Sequence, residues 1–268
     1  MPARLAIAQV QRSLVTHDTT TDGTRAIAEE TAVSFTYGSA TFAVMMATPQ
    51  DVEDFAIGFS LTEGIVERVS EITAIEIVSH EQGIEARMTL SEPRGVQLES
   101  RRRTLAGPAG CGLCGIESLE AAVRPARDVN SDLQVKPQTI FLALASLREH
   151  QRLNQATRAV HAAGFWSIGA NRFLAVREDV GRHNALDKLA GVLAREGVNA
   201  SDGFIVLSSR LSIELVQKAA AIGCPILVAV SAPTNYALRA AQAAGMTLVA
   251  IARDDSFEVF THGERIEA

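Results

Sequence analysis

Two of the chain's three cysteines stand three positions apart, in Gly110-Cys111-Gly112-Leu113-Cys114-Gly115. Thiols at that spacing can bind metal, exchange disulfides or carry a sulfur atom as a persulfide, and their surroundings decide among these. The glycines around them lack a Cβ and give the stretch the backbone freedom of an exposed loop tip, where reactive residues tend to sit. A structural zinc site wants a full tetrahedral ligand set. Beyond the pair the chain offers Cys224 and six histidines, with no second Cys-X-X-Cys and no paired-histidine motif. Thioredoxin-like chemistry wants the pair at a helix start just after a strand, whereas Arg101 to Gly110 is a basic approach bearing glycine and proline. Sulfur transfer fits better: a thiolate that collects a sulfane sulfur from a donor must reach out of the protein body, and nearby arginines favour the thiolate. Sulfur or disulfide chemistry therefore ranks ahead of metal binding, and metal binding ahead of inert thiols. Cys224, just before Pro225 at a strand start, reads as a small buried hydrophobe.

A zinc deaminase would set a histidine and a Cys-X-X-Cys pair around one metal. Such sites place a glutamate two positions after the histidine and the cysteines downstream. Here residue 163 is Ala and the pair lies upstream of His161. His161 then reads first as a core or hinge histidine, with proton transfer or ligand contact as the other options.

These groups have to be positioned by the rest of the chain. From Arg172 onward the pattern alternates: strand 173–176, helix 185–195, strand 204–207, helix 213–222, strand 226–230, helix 236–244 and strand 248–251. Short apolar strands alternating with helices predict an α/β fold, a three-layer sandwich on a mostly parallel sheet. Ligands of such sheets bind beyond the carboxyl ends of the strands. Those ends run into polar residues: Arg177 to Asn184, then Ser208-Ser209-Arg210, Ser231 to Asn235, and Arg253-Asp254-Asp255-Ser256. The first three also open helices, whose free N–H groups favour anions, so a phosphate-rich ligand is expected on this rim. Simple helix capping by Asp179, Ser208, Ser231 or Thr234 accounts for any one of them alone. Arg182-His183-Asn184 exceeds what a cap requires.

Upstream, Thr31 to Ala47 predicts a hairpin about Gly38-Ser39, followed by a helix capped by Thr48 with Pro49 in its first turn. Residues 74–79 and 84–90 predict a second hairpin. A short helix is expected near 117–123 and a longer one after Pro137, striped by Ile140, Leu144 and Leu147. The chain divides on this reading into a strand-rich subdomain at 1–98, a mobile Cys-X-X-Cys loop and connector at 99–136, and an α/β cofactor-binding domain at 137–268.

With 268 residues, 47% of them apolar, the chain can bury a substantial core. A formal charge of −6 argues against general nucleic-acid binding. Neither a signal-peptide core at residues 1–20 nor an apolar run of membrane-spanning length is visible, so the expectation is a cytoplasmic protein with no membrane partner.

Several motifs together resemble a known family. They are Arg101 to Gly107, Gly110 to Gly115, Glu178 to Lys188, Ser208-Ser209-Arg210 and Ser231-Ala232-Pro233-Thr234, with support from Thr48-Pro49, Asp54-Phe55, Gly58, Glu63-Gly64-Ile65 and Thr247-Leu248-Val249. This set is similar to the formate dehydrogenase accessory sulfurtransferases, the FdhD family, over most of the chain. The resemblance implies a cytoplasmic homodimer with a cytidine-deaminase-like core. It implies that sulfur comes from a cysteine desulfurase and goes to the molybdenum or tungsten bis-pterin guanine dinucleotide cofactor, before that cofactor enters the catalytic subunit of formate dehydrogenase. Cys111 would carry the persulfide and Cys114 would assist or relay. Ile251, Ala252, Arg253, Asp254, Asp255 and Ser256 align with the segment that contacts the guanine dinucleotide, and Arg182, His183, Asn184, Ser209, Arg210 and Thr234 would complete the rim. The cofactor is a bound substrate on this view, and no resident metal is expected. Asp254-Asp255-Ser256 depart from the glycine and basic residue often found there, so those carboxylates would meet a phosphate-bearing ligand unless they read the guanine edge or point away. A cofactor-binding chaperone that transfers no sulfur, and a thiol-disulfide oxidoreductase, are the rival readings.

Overall fold

The computed structural model describes residues 4–96, 98 and 125–267. Cys111, Cys114, the arginines at 101–103 and the helix expected near 117–123 lie outside the described residues.

Two hairpins build the first sheet. Strands β3 (Thr31–Tyr37) and β4 (Ala40–Ala47) pair antiparallel, as do β5 (Ile72–Ser79) and β6 (Gly83–Leu90). Gly38 turns the first hairpin at φ 63°, a conformation that costs glycine little. Parallel pairing of β3 with β6 joins the hairpins in the order β4-β3-β6-β5. Their alternating apolar residues face helix α1 (Val52–Thr62), where the Phe35 ring stacks on Phe59 at 4.3 Å and meets Phe55 edge-on at 4.9 Å. The helix starts later than the sequence predicts. Asp51 occupies the N-cap position with φ 54°, while Thr48 is wholly buried and bonded elsewhere. A further antiparallel ribbon, β1 (Ile7–Val15) with β2 (Thr20–Ala28), forms a sheet of its own. Sequence analysis assigned no element there, because polar residues interrupt both strands and neither has a buried face.

The second sheet has the order β12-β11-β10-β9-β7-β8. It comprises β7 (His161–Ser167), β8 (Arg172–Asp179), β9 (Gly203–Leu207), β10 (Ile226–Ala229), β11 (Thr247–Ala250) and β12 (Glu258–Thr261). Parallel pairing is confined to β9, β10 and β11, while β7 is antiparallel to both neighbours and β12 is antiparallel at the far edge. The expected mostly parallel sheet is therefore corrected to a mixed one. The reason is connection length: the short links from β7 to β8 and from β11 to β12 cannot make the crossover that parallel pairing requires. Because β7 runs backwards between them, β8 still points the same way as β9 to β11. Their carboxyl ends share one rim, as the sequence implied.

Helices cover both faces. On one side α4 (Arg182–Arg195), α5 (Ile213–Ala221) and α6 (Asn235–Ala243) bury Leu186, Leu189 and Leu215 against Phe165, Ile205 and Leu227. On the other, α2 (Pro137–His150) sets Ile140, Leu144 and Leu147 against Trp166, Phe204 and Val206. A short helix α3 (Arg152–Thr157) follows α2. The fold is mixed α/β, with the helical layers on either side of the sheet. Helix α1 crosses α4 at backbone contact: a Cβ added to Gly58 would lie 1.7 Å from the Asp187 carbonyl oxygen, and one on Gly191 1.8 Å from that of Asp54. No helix among the described residues is long and apolar enough to cross a membrane.

Candidate functional site

The run from Glu178 to Lys188 carries the polar end of β8 into α4, and most of its side chains turn inward. Asp179 accepts from the backbone N–H groups of Thr48 at 3.0 Å and Gly181 at 2.8 Å, and from Asn184 Nδ2 at 2.9 Å. Lys188 Nζ lies 2.6 Å from the same carboxylate and donates to the Thr48 carbonyl at 2.9 Å. Burial lowers the Lys188 pKa, with Asp179 opposing it. The preceding residue, Asp187, accepts from Thr62 Oγ1 at 2.6 Å and from Lys218 Nζ at 2.9 Å, and Lys218 also reaches Glu63 at 2.7 Å. Burial pushes Asp187 up to about 6, whereas the surrounding carboxylates outweigh burial at Lys218 and keep its ammonium charged. Glu178 accepts from the N–H groups of Leu153 and Asn154, both at 2.8 Å, and so fixes the first turn of α3. These residues bind the first sheet and α1 to the second sheet. Asn184, expected on the ligand rim, is 3% exposed, and its amide nitrogen is committed to Asp179 and the Met46 carbonyl.

Arg182 and His183 remain half-exposed. The His183 Nε2 is 3.3 Å from Ser212 Oγ and 3.7 Å from Glu214 Oε2, at the start of α5. Burial, then the Arg182 charge, push His183 down to about 4, so its imidazole is neutral at pH 7. Burial and Arg182 likewise lower the pKa of His161.

Beyond the strand ends a cleft of about 380 Å³ opens between this rim and the end of α2. Its apolar lining is Leu144, Leu147, Val160, Val230 and Ala252, and its polar lining is Arg148, Gln151, Asn154, His161, Ser208, Ser231, Arg253 and Asp254. Ile251 turns the chain at φ 52° after β11 and leads the segment into the cleft wall. Arg253 donates to the Val230 and Ala252 carbonyls. Arg148 meets Asp254 at 2.6 Å across the mouth. Asp255 accepts from Ser256 at 3.1 Å, and both are exposed. Ser208 Oγ accepts from the Ala162 N–H at 2.8 Å.

The structure thus brings Ala252, Arg253 and Asp254 to one cleft with Ser208, Ser231 and His161. It places the other expected residues differently. Thr234 caps α6 by accepting from the Ala237 N–H at 3.2 Å, Ser209 is buried with its hydroxyl on the Arg210 carbonyl, and Arg210 is exposed. Sequence analysis missed Arg148, Gln151 and Asn154. They sit where α2 gives way to α3, and helical periodicity marks only the apolar stripe of such an element, not the residues at its end. A larger hollow of about 480 Å³ on the outer face of the first sheet, beside Val44 and His80, offers no arginine or lysine to an anionic ligand. Among the described residues no group of His, Cys, Asp or Glu is arranged to hold a metal ion. Cys224 is fully buried, and burial pushes its thiol up to about 12.

Comparison with known proteins agrees over nearly the whole chain. The sulfur carrier protein FdhD of Agrobacterium fabrum is 51% identical over 259 residues, covering 96% of this chain and 95% of that protein. The protein of the same name from Cupriavidus necator is 47% identical, over 90% of this chain and 83% of its own. A crystal structure described as a formate dehydrogenase accessory protein from Desulfotalea psychrophila superposes with a TM-score of 0.76 at 23% identity, covering 98% of this chain and all of that one, which supports the fold. The model of the FdhD/NarQ family matches residues 28–267, and the chain belongs to that family.

Proposed function

We propose that the protein is a cytoplasmic sulfurtransferase serving formate dehydrogenase. It takes sulfur from a cysteine desulfurase and passes it to a molybdenum or tungsten bis-pterin guanine dinucleotide cofactor, which it binds as substrate before the cofactor enters the catalytic subunit of the enzyme. Family membership with relatives named as sulfur carriers is the observation that carries this reading. The cleft beyond the strand ends supports it, with a nucleoside-sized apolar lining, polar edges and two arginines. The core would be the cytidine-deaminase-like one, and a two-fold homodimer would suit a cofactor with two nucleotide arms.

In the first step the Cys111 thiolate attacks the outer sulfur of the donor's persulfide, forming a Cys111 persulfide and releasing the donor cysteine as thiolate. In the second step another thiol, Cys114 or a cellular thiol, attacks the Cys111 sulfur and forms a disulfide with it, releasing the outer sulfur to the cofactor as hydrosulfide, and a cellular dithiol then reduces that disulfide and restores the Cys111 thiolate. Cys114 assists or relays. The segment from Ile251 to Ser256 and the rim about Arg182 and His183 hold the nucleotide end of the cofactor.

Activation of formate dehydrogenase tests this directly. In cells lacking the protein, supplying Cys111→Ala should leave the enzyme inactive while the variant still binds guanine nucleotide. Full activation by that variant would identify a cofactor chaperone instead.

A further inference from the structure

We propose that one face of the β1–β2 ribbon docks the protein that receives the cofactor, through a partner surface bearing apolar side chains and carboxylates; this rests on the proposed role in cofactor delivery. The ribbon pairs without a break over nine residues in each strand, forms a sheet of its own, and buries no residue of either strand. A lone two-stranded ribbon is marginally stable in water, so one of this length is stabilised by a surface laid against it.

The pairing register identifies the face. Side chains alternate across a strand, so Val10, Arg12 and Leu14 of β1 point the same way, and Arg25 and Ile27 of β2 complete their face. Val10, Leu14 and Ile27 are 39%, 49% and 38% exposed. Arg12 lies across Gly23, where an added Cβ would come within 3.7 Å of its guanidinium, and donates to the Thr21 carbonyl at 3.4 Å. Neither Arg12 nor Arg25 pairs with a carboxylate among the described residues. The opposite face is mainly polar, and there Ser13 donates to Asp22. Aliphatic side chains around unpaired arginines make a binding patch whose counterpart supplies carboxylates.

Size, charge and position identify the occupant. Nine residues give a ribbon about 30 Å long and on the order of 10 Å wide, or about 300 Å² on one face. Stable complexes bury about 800 Å² per partner, so this face suits a protein that binds and leaves. A second copy laid face to face across a two-fold axis would set arginines against arginines, which repel. Strand β2 packs against α3, and Asn154 of α3 lines the cleft. A protein seated on the ribbon therefore stands beside the cleft, where the cofactor is handed over.

Surface plasmon resonance of the full chain against the purified, cofactor-free catalytic subunit of formate dehydrogenase tests this, with a cysteine desulfurase as the second analyte. Wild type should bind the catalytic subunit with an affinity that falls as salt rises. Arg12→Glu combined with Arg25→Glu should weaken that binding by about tenfold or more and flatten its salt dependence, while desulfurase binding stays as in wild type. Leu14→Ser should weaken it several-fold with no change of charge. Arg172→Glu, which reverses an exposed charge at the end of β8 away from the cleft, should bind as wild type does. Unchanged affinity in the double variant and in Leu14→Ser, loss of desulfurase binding instead, or a dimer that dissociates in the double variant would overturn this inference alone. Wild type that binds neither protein would overturn it together with the proposed function.

Discussion

Lys188 Nζ lies 2.6 Å from Asp179 Oδ2, and both side chains are fully buried. The pair is anchored from outside the second sheet, because Thr48 donates its N–H to the carboxylate and receives the ammonium on its carbonyl. The Phe55 ring of α1 closes the other side, 5.7 Å from the ammonium. Two buried charges are stable only with their remaining hydrogen-bonding capacity met, and here Thr48, Gly181 and Asn184 meet it. Lys188→Met should therefore cost about 3–5 kcal/mol, the range for breaking a buried pair from one side. Urea denaturation followed by circular dichroism measures this; a loss below about 1 kcal/mol would mean that Asp179 is held by its N–H donors alone.

The crossing of α1 and α4 makes a separate prediction. Gly58→Ala and Gly191→Ala each drive a methyl group into a backbone carbonyl, which cannot rotate away. Each should destabilise the fold at or beyond the upper end of the ~1–3 kcal/mol usual for overpacking. Gly64→Ala meets no neighbour and carries only the strain of φ 67°, about 1–2 kcal/mol. Denaturation midpoints that fall equally in all three variants would contradict the backbone-contact account.

His183 links stability to pH. Its folded pKa of about 4 lies below that of a free imidazole, near 6.5, so the unfolded chain takes up the proton first. Its contribution to stability is complete above about pH 6.5 and is lost as the pH falls towards 4. His183→Gln should lose less stability than wild type between pH 7 and pH 4.5, by urea midpoints. Parallel curves for the two proteins would show that the imidazole is not held neutral.

Arg148 separates stability from binding. Its exposed pair with Asp254 should contribute at most about 1 kcal/mol. Arg148→Ala is expected to leave the melting temperature nearly unchanged while reducing GDP affinity several-fold, and a calorimetric titration that shows unaltered affinity would remove Arg148 from the nucleotide site.

Much of this was legible in the sequence where burial imposes a period. The strands Phe204–Leu207 and Ile226–Ala229 are unbroken apolar runs and were placed to within a residue. The direction of β7 was not legible, because Ala162 to Phe165 are small or apolar residues that fit several elements, and pairing direction depends on connection length. The ribbon of β1 and β2 was missed because it has no buried side to impose alternation. At the site, the run from Glu178 to Lys188 stood out by its density of hydrogen-bonding groups. Density does not say which way side chains face, and Asp179, Asn184, Asp187 and Lys188 are buried while Arg182 and His183 are not. Gln151 looked like any glutamine after a helix, and only its place in the cleft wall distinguishes it.

The central claim is that Cys111 carries sulfur. Intact-protein mass spectrometry after incubation with a cysteine desulfurase and cysteine tests it most directly, comparing wild type with Cys111→Ala and Cys114→Ala. The account predicts a gain of one sulfur atom that is removed by reductant and absent from Cys111→Ala. No gain in wild type while the desulfurase turns over, or an undiminished gain in Cys111→Ala, would contradict it.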